Sequence, residues 1–372
     1  MHMKTHALKK TLALLLALLM MTAVLAACGE KAPAASPSAA PAASASAATE
    51  APEVTEAPAA PKPPVELTNV SYDPTRELYD AYNKLFTAYW LETQNQEVTV
   101  TQSHGGSGKQ ARAVLEGVEA DVVTLALEYD VGELERGGLI QPGWVGEFPL
   151  SSAPYTSTIV FLVRAGNPKG LNDWDDIVKP GVEVITPDPK TSGGARWNFL
   201  AAWAFSDKAS GGDEAVNKKF LSDLYTNVTV LDSGARGSTT TFVENGQGDV
   251  LLAWENEAFL SLREHPGEFE IVTPSVSILA QPSVAIVDEV ADKRGTQEIA
   301  HAYLEYLYSD DAQRLEGENF YRPSNQAILA EFSETFDLEV NLVNIDDDFG
   351  GWAAATAKFF ADGTIFDEIY AK

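Results

Sequence analysis

Short β-rich runs alternate with helical patterns through most of the chain, and this alternation restricts it to α/β architectures. The runs are ELTNVSY (66–72), EVTVT (97–101), DVVTLAL (121–127), STIVFLV (157–163), VEVIT (182–186), NVTVL (227–231), DVLLAW (249–254) and SVAIVD (283–288). After the first run, DPTRELYDAYNKLFTAYW carries Leu78, Tyr82, Leu85, Phe86, Tyr89 and Trp90 on one helical face, with Asp73 placed as N-cap and Pro74 in the first turn. EAVNKKFLSDLY and TQEIAHAYLEYLY separate later strands. Such alternation predicts parallel sheets flanked by helices.

Three strand-to-helix junctions share one chemistry. TVTQSHGGSGKQA, VITPDPKTSGGARWNFL and VLDSGARGSTTTFVENG each leave a strand, turn on glycines and small hydroxyl residues, and open a helix. In the first, the spacing predicts Ser107 as cap, Gln110 closing a capping box and Gly117 ending the helix. In the second, Ser192 precedes Gly193 and Gly194, and Phe199, Leu200 and Trp203 mark the buried face; in the third, Ser238 leads into TTTFVENG. A helix start presents backbone N–H groups without partners of their own, and its dipole favours negative charge. Glycines let an anion approach that backbone, and a serine hydroxyl adds a rotatable donor. Three such starts after strands would line one edge of open α/β sheets, where ligands bind.

The first junction is not a nucleotide phosphate loop. Gln110 follows Gly108-Lys109 where magnesium needs a hydroxyl, and Ser103 stands where the first glycine belongs. Neither Ser107 nor Ser192 lies in Gly-x-Ser-x-Gly, and His104 reads as a satisfied polar residue of its loop. The five histidines are scattered and the single cysteine, Cys28, has no neighbour with metal-ligand spacing. No metal, cofactor or catalysis is therefore expected.

The ends and the charge set the setting. Lys4, Lys9 and Lys10 precede the apolar stretch TLALLLALLMMTAVLA, and LAAC closes it, so residues 1–27 read as a signal peptide. Leu-Ala-Ala-Cys resembles a lipobox, which makes Cys28 the expected lipidation site and anchors the exported chain to the outer face of the cytoplasmic membrane, or its periplasmic side. Residues 28–64, rich in Ala, Pro and Ser, read as a disordered tether. The chain of 372 residues carries a formal charge of −28, which makes nucleic acid a poor partner.

SYDPTRELYDAYNKLF, QSHGGSGKQ, EADVVTLALEYDV, APYTSTIVFLVR, SGGARWNFLAAW, LDSGARGST and AWENEA, in that order, resemble the bacterial periplasmic sulfate-binding proteins of ABC importers. NFYRP (319–323) and FGGW (349–352) extend the resemblance over most of residues 66–366. It implies a type II periplasmic-binding-protein fold, two α/β lobes with a ligand cleft between them. Lobe I would comprise 65–150 plus about 275–372, whose C-terminal part is free to pack on both lobes, and lobe II about 151–274. It also implies a sulfate site made of the main-chain N–H groups of Asp73, Ser107, Gly193, Gly194 and Ala235, the Ser192 hydroxyl and the Trp254 indole N–H. Asp188, Thr191 and Thr240 depart from the family's usual Asn, Ser and Asn, none at a donor position. Lys109, Arg196 and Arg236 adjoin the loops and are expected to support them or pair with carboxylates. The implied role is a monomeric receptor that delivers sulfate, with thiosulfate left open beside it, to ABC permease subunits. A molybdate or tungstate receptor and, in another class, an exported anion-dependent hydrolase remain as alternatives.

Overall fold

The computed structural model describes residues 60–370, so the signal peptide, Cys28 and nearly all of the tether lie outside the described residues. The longer strands are β1 (Lys62–Tyr72), β2 (Gln96–Gly105), β3 (Val122–Leu125), β4 (Ile159–Arg164), β5 (Val184–Pro187), β6 (Val228–Asp232), β7 (Val250–Trp254), β8 (Phe269–Val272) and β9 (Ser283–Ile286). The helices that bear on the site and its support are α1 (Arg76–Gln94), α2 (Ser107–Leu115), α3 (Gly193–Ser210), α4 (Ala235–Val243), α5 (Glu255–Glu264) and α6 (Asp310–Glu318). β1 begins inside the stretch expected to be tether: Lys62 N–H donates to Asn95 O over 2.9 Å. Pro63 and Pro64 lack the N–H a ladder needs, and they sit at a register break between Lys62 and Val65.

Two sheets centre the two α/β lobes. The first has the order β9-β3-β1-β2 and the second β6-β5-β7-β4-β8. The expected parallel pairing holds for β1 with β2 and β3, and for β5 with β6 and β7. It fails for β4 and β9, which run antiparallel to their neighbours. The reason lies in the crossings. Tyr155–Thr156 pairs with Arg322–Pro323, and Ser157 bridges Ala280, so the chain enters β4 and β9 from the edge at which the parallel strands end. All eight expected strands exist; β8, a short edge strand, was not foreseen.

Local expectations at two helix starts also change. Asp73 does not cap α1, because a 3-10 turn over Asp73–Thr75 intervenes and Thr75 takes the cap position. Thr75 Oγ1 stabilises that turn by donating to Tyr72 O over 2.7 Å. Leu78, Tyr82, Phe86 and Trp90 of α1 are buried as expected, while Tyr89 is exposed. Tyr82, Phe86 and Trp90 join Leu67, Val122, Val284, Ile299 and Tyr303 in the core of the first sheet, while Leu78 packs with Tyr155 and Tyr321. The second core gathers Phe161, Trp174, Trp197, Phe199 and Trp203, and the last part of the chain supplies Trp352, Phe359, Phe360 and Phe366 to it. The Trp197 and Trp352 rings meet at 4.6 Å, and Phe199 and Phe360 at 5.3 Å. Each ring so buried contributes roughly 2 to 3 kcal/mol.

One group in the first lobe opposes this stability. Glu316, on α6, is fully buried; Oε2 accepts from Gln313 Nε2 at 2.7 Å, and Oε1 has no partner. Burial pushes its carboxyl well above the ordinary glutamate value of 4.5. The titratable groups that face it are Tyr79, Tyr82, Tyr155 and Tyr308, none of them a cation. A carboxyl whose folded pKa is raised contributes its full stability below the unfolded value and loses it as pH rises through the folded one. Glu316→Gln is therefore expected to raise stability at pH 8 by about 1 to 3 kcal/mol and to leave it little changed at pH 4. Thermal melts of both proteins across that range check this, and parallel pH profiles would contradict it.

Candidate anion-binding site

The three glycine turns meet the end of β7 around a small cavity with about 150 Å³ of space between its atoms, open solvent at its mouth included. Asp73, Ser107, Ser192, Gly193, Gly194, Ala235 and Trp254 all line it, with Tyr72, Pro74, Gly105 and Gly106 completing the wall. Among the described residues, no lysine or arginine does. Ser107 and Ala235 are the first residues of α2 and α4, and Gly193 and Gly194 the first two of α3. N–H groups at these positions have no partner within their own helix. The three helix dipoles add positive potential at the same spot.

Side chains arrange themselves so that this backbone stays available. Ser107 is the first helical residue rather than the cap, which is Gly106, so the expected capping box does not form. The Ser107 hydroxyl donates instead to Asp130 Oδ2 over 2.5 Å and accepts the Ala126 N–H at 3.1 Å. Gln110 reaches back to Ser71 O and Ser103 Oγ, both at 3.0 Å. Ser192 does cap α3, accepting weakly from Ala195 N–H at 3.4 Å, and its O–H proton remains to be donated. Ser238 and Thr241 both donate to the Asp232 carboxylate, at 3.1 and 3.2 Å, and tie α4 to the end of β6.

Close approach is what the glycines provide. A Cβ on Gly106 would lie 2.6 Å from the carbonyl oxygens of Thr191 and Ser233, and a Cβ on Gly194 would run into Trp254 Nε1. Trp254 is 2% exposed, its ring tilts against Tyr72 at 5.3 Å, and its indole N–H has no hydrogen-bond partner. The half-buried Asp73 carboxylate leans on Gly234, away from any capping role. Burial pushes its pKa up, while the charges of Arg76, Arg236 and Lys109 act in the opposite sense.

The nearby arginines are occupied. Arg196 Nη1 faces Asp130 Oδ1 at 3.4 Å, and its Nε donates to Pro189 O at 2.9 Å. Arg236 bonds both oxygens of Glu77, at 2.9 and 2.7 Å, and Glu257 Oε1 at 2.8 Å. The Arg196–Asp130 and Arg236–Glu77 pairs join a residue of the first lobe to one of the second, as does Asn256 Nδ2 donating to Pro74 O over 3.0 Å. The arrangement is a closed one. His104 differs from its expected role as a satisfied loop residue: Nδ1 lies 3.1 Å from Tyr72 O, but Nε2 is buried without a partner, and burial pushes its pKa down. Asp130, Glu77 and Glu257 were not singled out in the sequence, because no local pattern marks a carboxylate whose partner lies far along the chain. Among the described residues, no group of three or more His, Cys, Asp or Glu side chains could hold a metal ion.

Comparison with known proteins agrees with this architecture. The profile of a family described as "Bacterial extracellular solute-binding protein" matches residues 70–322. The chain is 56% identical over 306 residues to the sulfate-binding protein of Escherichia coli (strain K12), covering 82% of this chain and 93% of that one. It is 46% identical over 306 residues to the thiosulfate-binding protein of Pseudomonas aeruginosa, covering 82% and 92%. The solved structure of the sulfate-binding protein SubI from Mycobacterium tuberculosis H37Rv superposes with a TM-score of 0.70 at 31% identity, over 79% of this chain and 98% of that one. With two α/β lobes closed on a cavity of helix starts, and with relatives this similar along nearly their whole length, the chain belongs to the bacterial extracellular solute-binding proteins.

Proposed function

We propose that this protein is an extracytoplasmic receptor that captures sulfate, with thiosulfate as a second ligand, and hands it to the permease of an ABC importer. The observation that carries the reading is the Trp254 indole N–H, buried without a partner on the wall of a cavity built from three helix starts. A buried donor left unpaired costs about 1 to 3 kcal/mol, and a bound oxyanion removes that cost. The donors are Trp254 Nε1, the Ser192 hydroxyl and the main-chain N–H groups of Asp73, Ser107, Gly193, Gly194 and Ala235. Hydrogen bonds to a charged group contribute roughly 1.5 to 3 kcal/mol each, so seven supply on the order of 10 to 20 kcal/mol against the dianion's lost hydration. That margin accommodates affinity near micromolar, about −8 kcal/mol. The names of the relatives, sulfate- and thiosulfate-binding proteins, support the same ligand class.

Selectivity follows from the donor set. Hydrogen phosphate carries an O–H that needs an acceptor, and a wall of donors leaves that proton unpaired. Sulfate is expected to bind at least about tenfold to a hundredfold more tightly than phosphate at pH 7. Titration with sulfate, thiosulfate, phosphate and molybdate, followed by tryptophan fluorescence, tests this. Equal competition by phosphate would refute the donor-only account, and a protein that took molybdate while ignoring sulfate would refute the ligand.

The remaining parts of the reading concern setting and layout. Export through residues 1–27, a lipid on Cys28 and a tether to about residue 61 would hang a monomeric receptor outside the membrane. Lobe I would take residues 65–150 and about 275–372, lobe II about 151–274, with Trp352 to Phe366 packed into the second core. Cys28→Ser should move the protein from the membrane to the soluble fraction, and unchanged partitioning would remove the anchor.

A further inference from the structure

We infer that Lys109, seconded by Arg76, draws the dianion into the cleft against the charge of the rest of the molecule. The inference rests on the sulfate-receptor reading above. With 26 basic and 54 acidic residues the protein repels a dianion at long range, so capture depends on where that field is locally offset. Beside the anion cavity lies a larger polar one, open to solvent and with about 930 Å³ of space counting that solvent, which shares Asp73, Gly105 and Gly106 with it. The charged residues on its wall are Asp73, Lys109, Asp232 and Arg236. His104 is there too, its pKa pushed down by burial.

The cations near this opening are not equivalent. Arg236 is saturated by Glu77 and Glu257, and Arg196, on the neighbouring helix, by Asp130. Lys109 lies two residues after Ser107 in α2, is exposed, and has no ion pair among the described residues; Arg76, at the start of α1, is exposed and unpaired in the same way. Both charges nevertheless bear on the Asp73 carboxyl, which places them within Coulomb reach of the anion site. Neither lines the closed anion cavity. A charge that acts before closure and makes no contact after it changes the rate of capture and leaves the rate of release alone.

Stopped-flow tryptophan fluorescence with sulfate tests this. A single charge about 10 Å from a dianion changes its local concentration by about fourfold in dilute salt, and by much less once the screening length falls below that distance. Lys109→Gln should therefore lower the association rate three- to fivefold at about 10 mM ionic strength, and Lys109→Glu tenfold or more, with the difference fading near 0.5 M sodium chloride. Arg76→Gln should do the same more weakly. Lys219→Gln removes an exposed lysine that is paired with Asp223, and should change nothing. If wild-type protein binds sulfate but Lys109→Glu associates at the wild-type rate in low salt, the inference falls and the receptor reading stands. A faster release in place of slower capture would also overturn it, since Lys109 would then hold the bound anion. Wild-type protein that shows no sulfate binding at all would instead fail the reading beneath.

Discussion

Alanine at Gly106 is expected to weaken sulfate binding by about a hundredfold or more while leaving the ligand-free protein as stable as before. Gly106 has φ −59° and ψ 132°, a conformation open to any residue, so alanine brings no backbone strain. The conflict arises only across the cleft. The new methyl would sit 2.6 Å from the carbonyl oxygens of Thr191 and Ser233, which belong to the two glycine turns of the second lobe. Backbone atoms cannot rotate aside as a side chain can, so the lobes must stay apart by the width of a methyl group. The donors of Gly193, Gly194 and Ala235 would then fail to meet those of Asp73 and Ser107 on one anion. Wild-type protein should gain about 2.7 kcal/mol of stability at a sulfate concentration one hundred times the dissociation constant, and the variant should gain almost none. Melting curves with and without sulfate read this directly. A Gly106→Ala protein that sulfate stabilises normally would show that the lobes close with slack, and that this contact does not decide closure.

Trp254→Phe is expected to weaken sulfate roughly tenfold to a hundredfold, by removing a donor while keeping a ring against Tyr72. Because the indole N–H is buried without a protein partner, its removal costs the empty protein no hydrogen bond. Loss of affinity without a matching loss of ligand-free stability is the signature of a group kept for the guest. Calorimetric titration alongside thermal melts separates the two effects. Unchanged affinity would mean that the orphaned N–H points past the anion.

Much of the fold was legible because most strands are compact apolar runs bounded by polar turns, and helices such as α1 keep their buried face at regular spacing. β1 to β7 and β9 could be placed this way. Strand direction could not: β4 and β9 run backwards because of where the chain crosses between the sheets, and no local pattern records a crossing. Short-range chemistry misled at Asp73 and Ser107. Asp-Pro after a strand reads as a helix cap, yet a 3-10 turn takes up those residues, and the Ser107 hydroxyl goes to Asp130, which lies beyond the next strand. The glycine turns were visible by composition alone. Trp254 was not, since an aromatic residue ending an apolar strand looks like ordinary core. Its place on the list of donors came from the family resemblance, and so did the main-chain N–H of Asp73.

The arrival of Trp352, Phe359, Phe360 and Phe366 in the second core has a consequence for how the molecule is made. A nascent chain that has emerged only to residue 340 still leaves Trp197, Phe199 and Trp203 uncovered, however well its own strands have paired. Neither half can therefore mature in simple N-to-C order, the first waiting for β9 and the second for the last residues. The first sheet can close once residue 286 has emerged, whereas the second core can seal only when translation has all but finished.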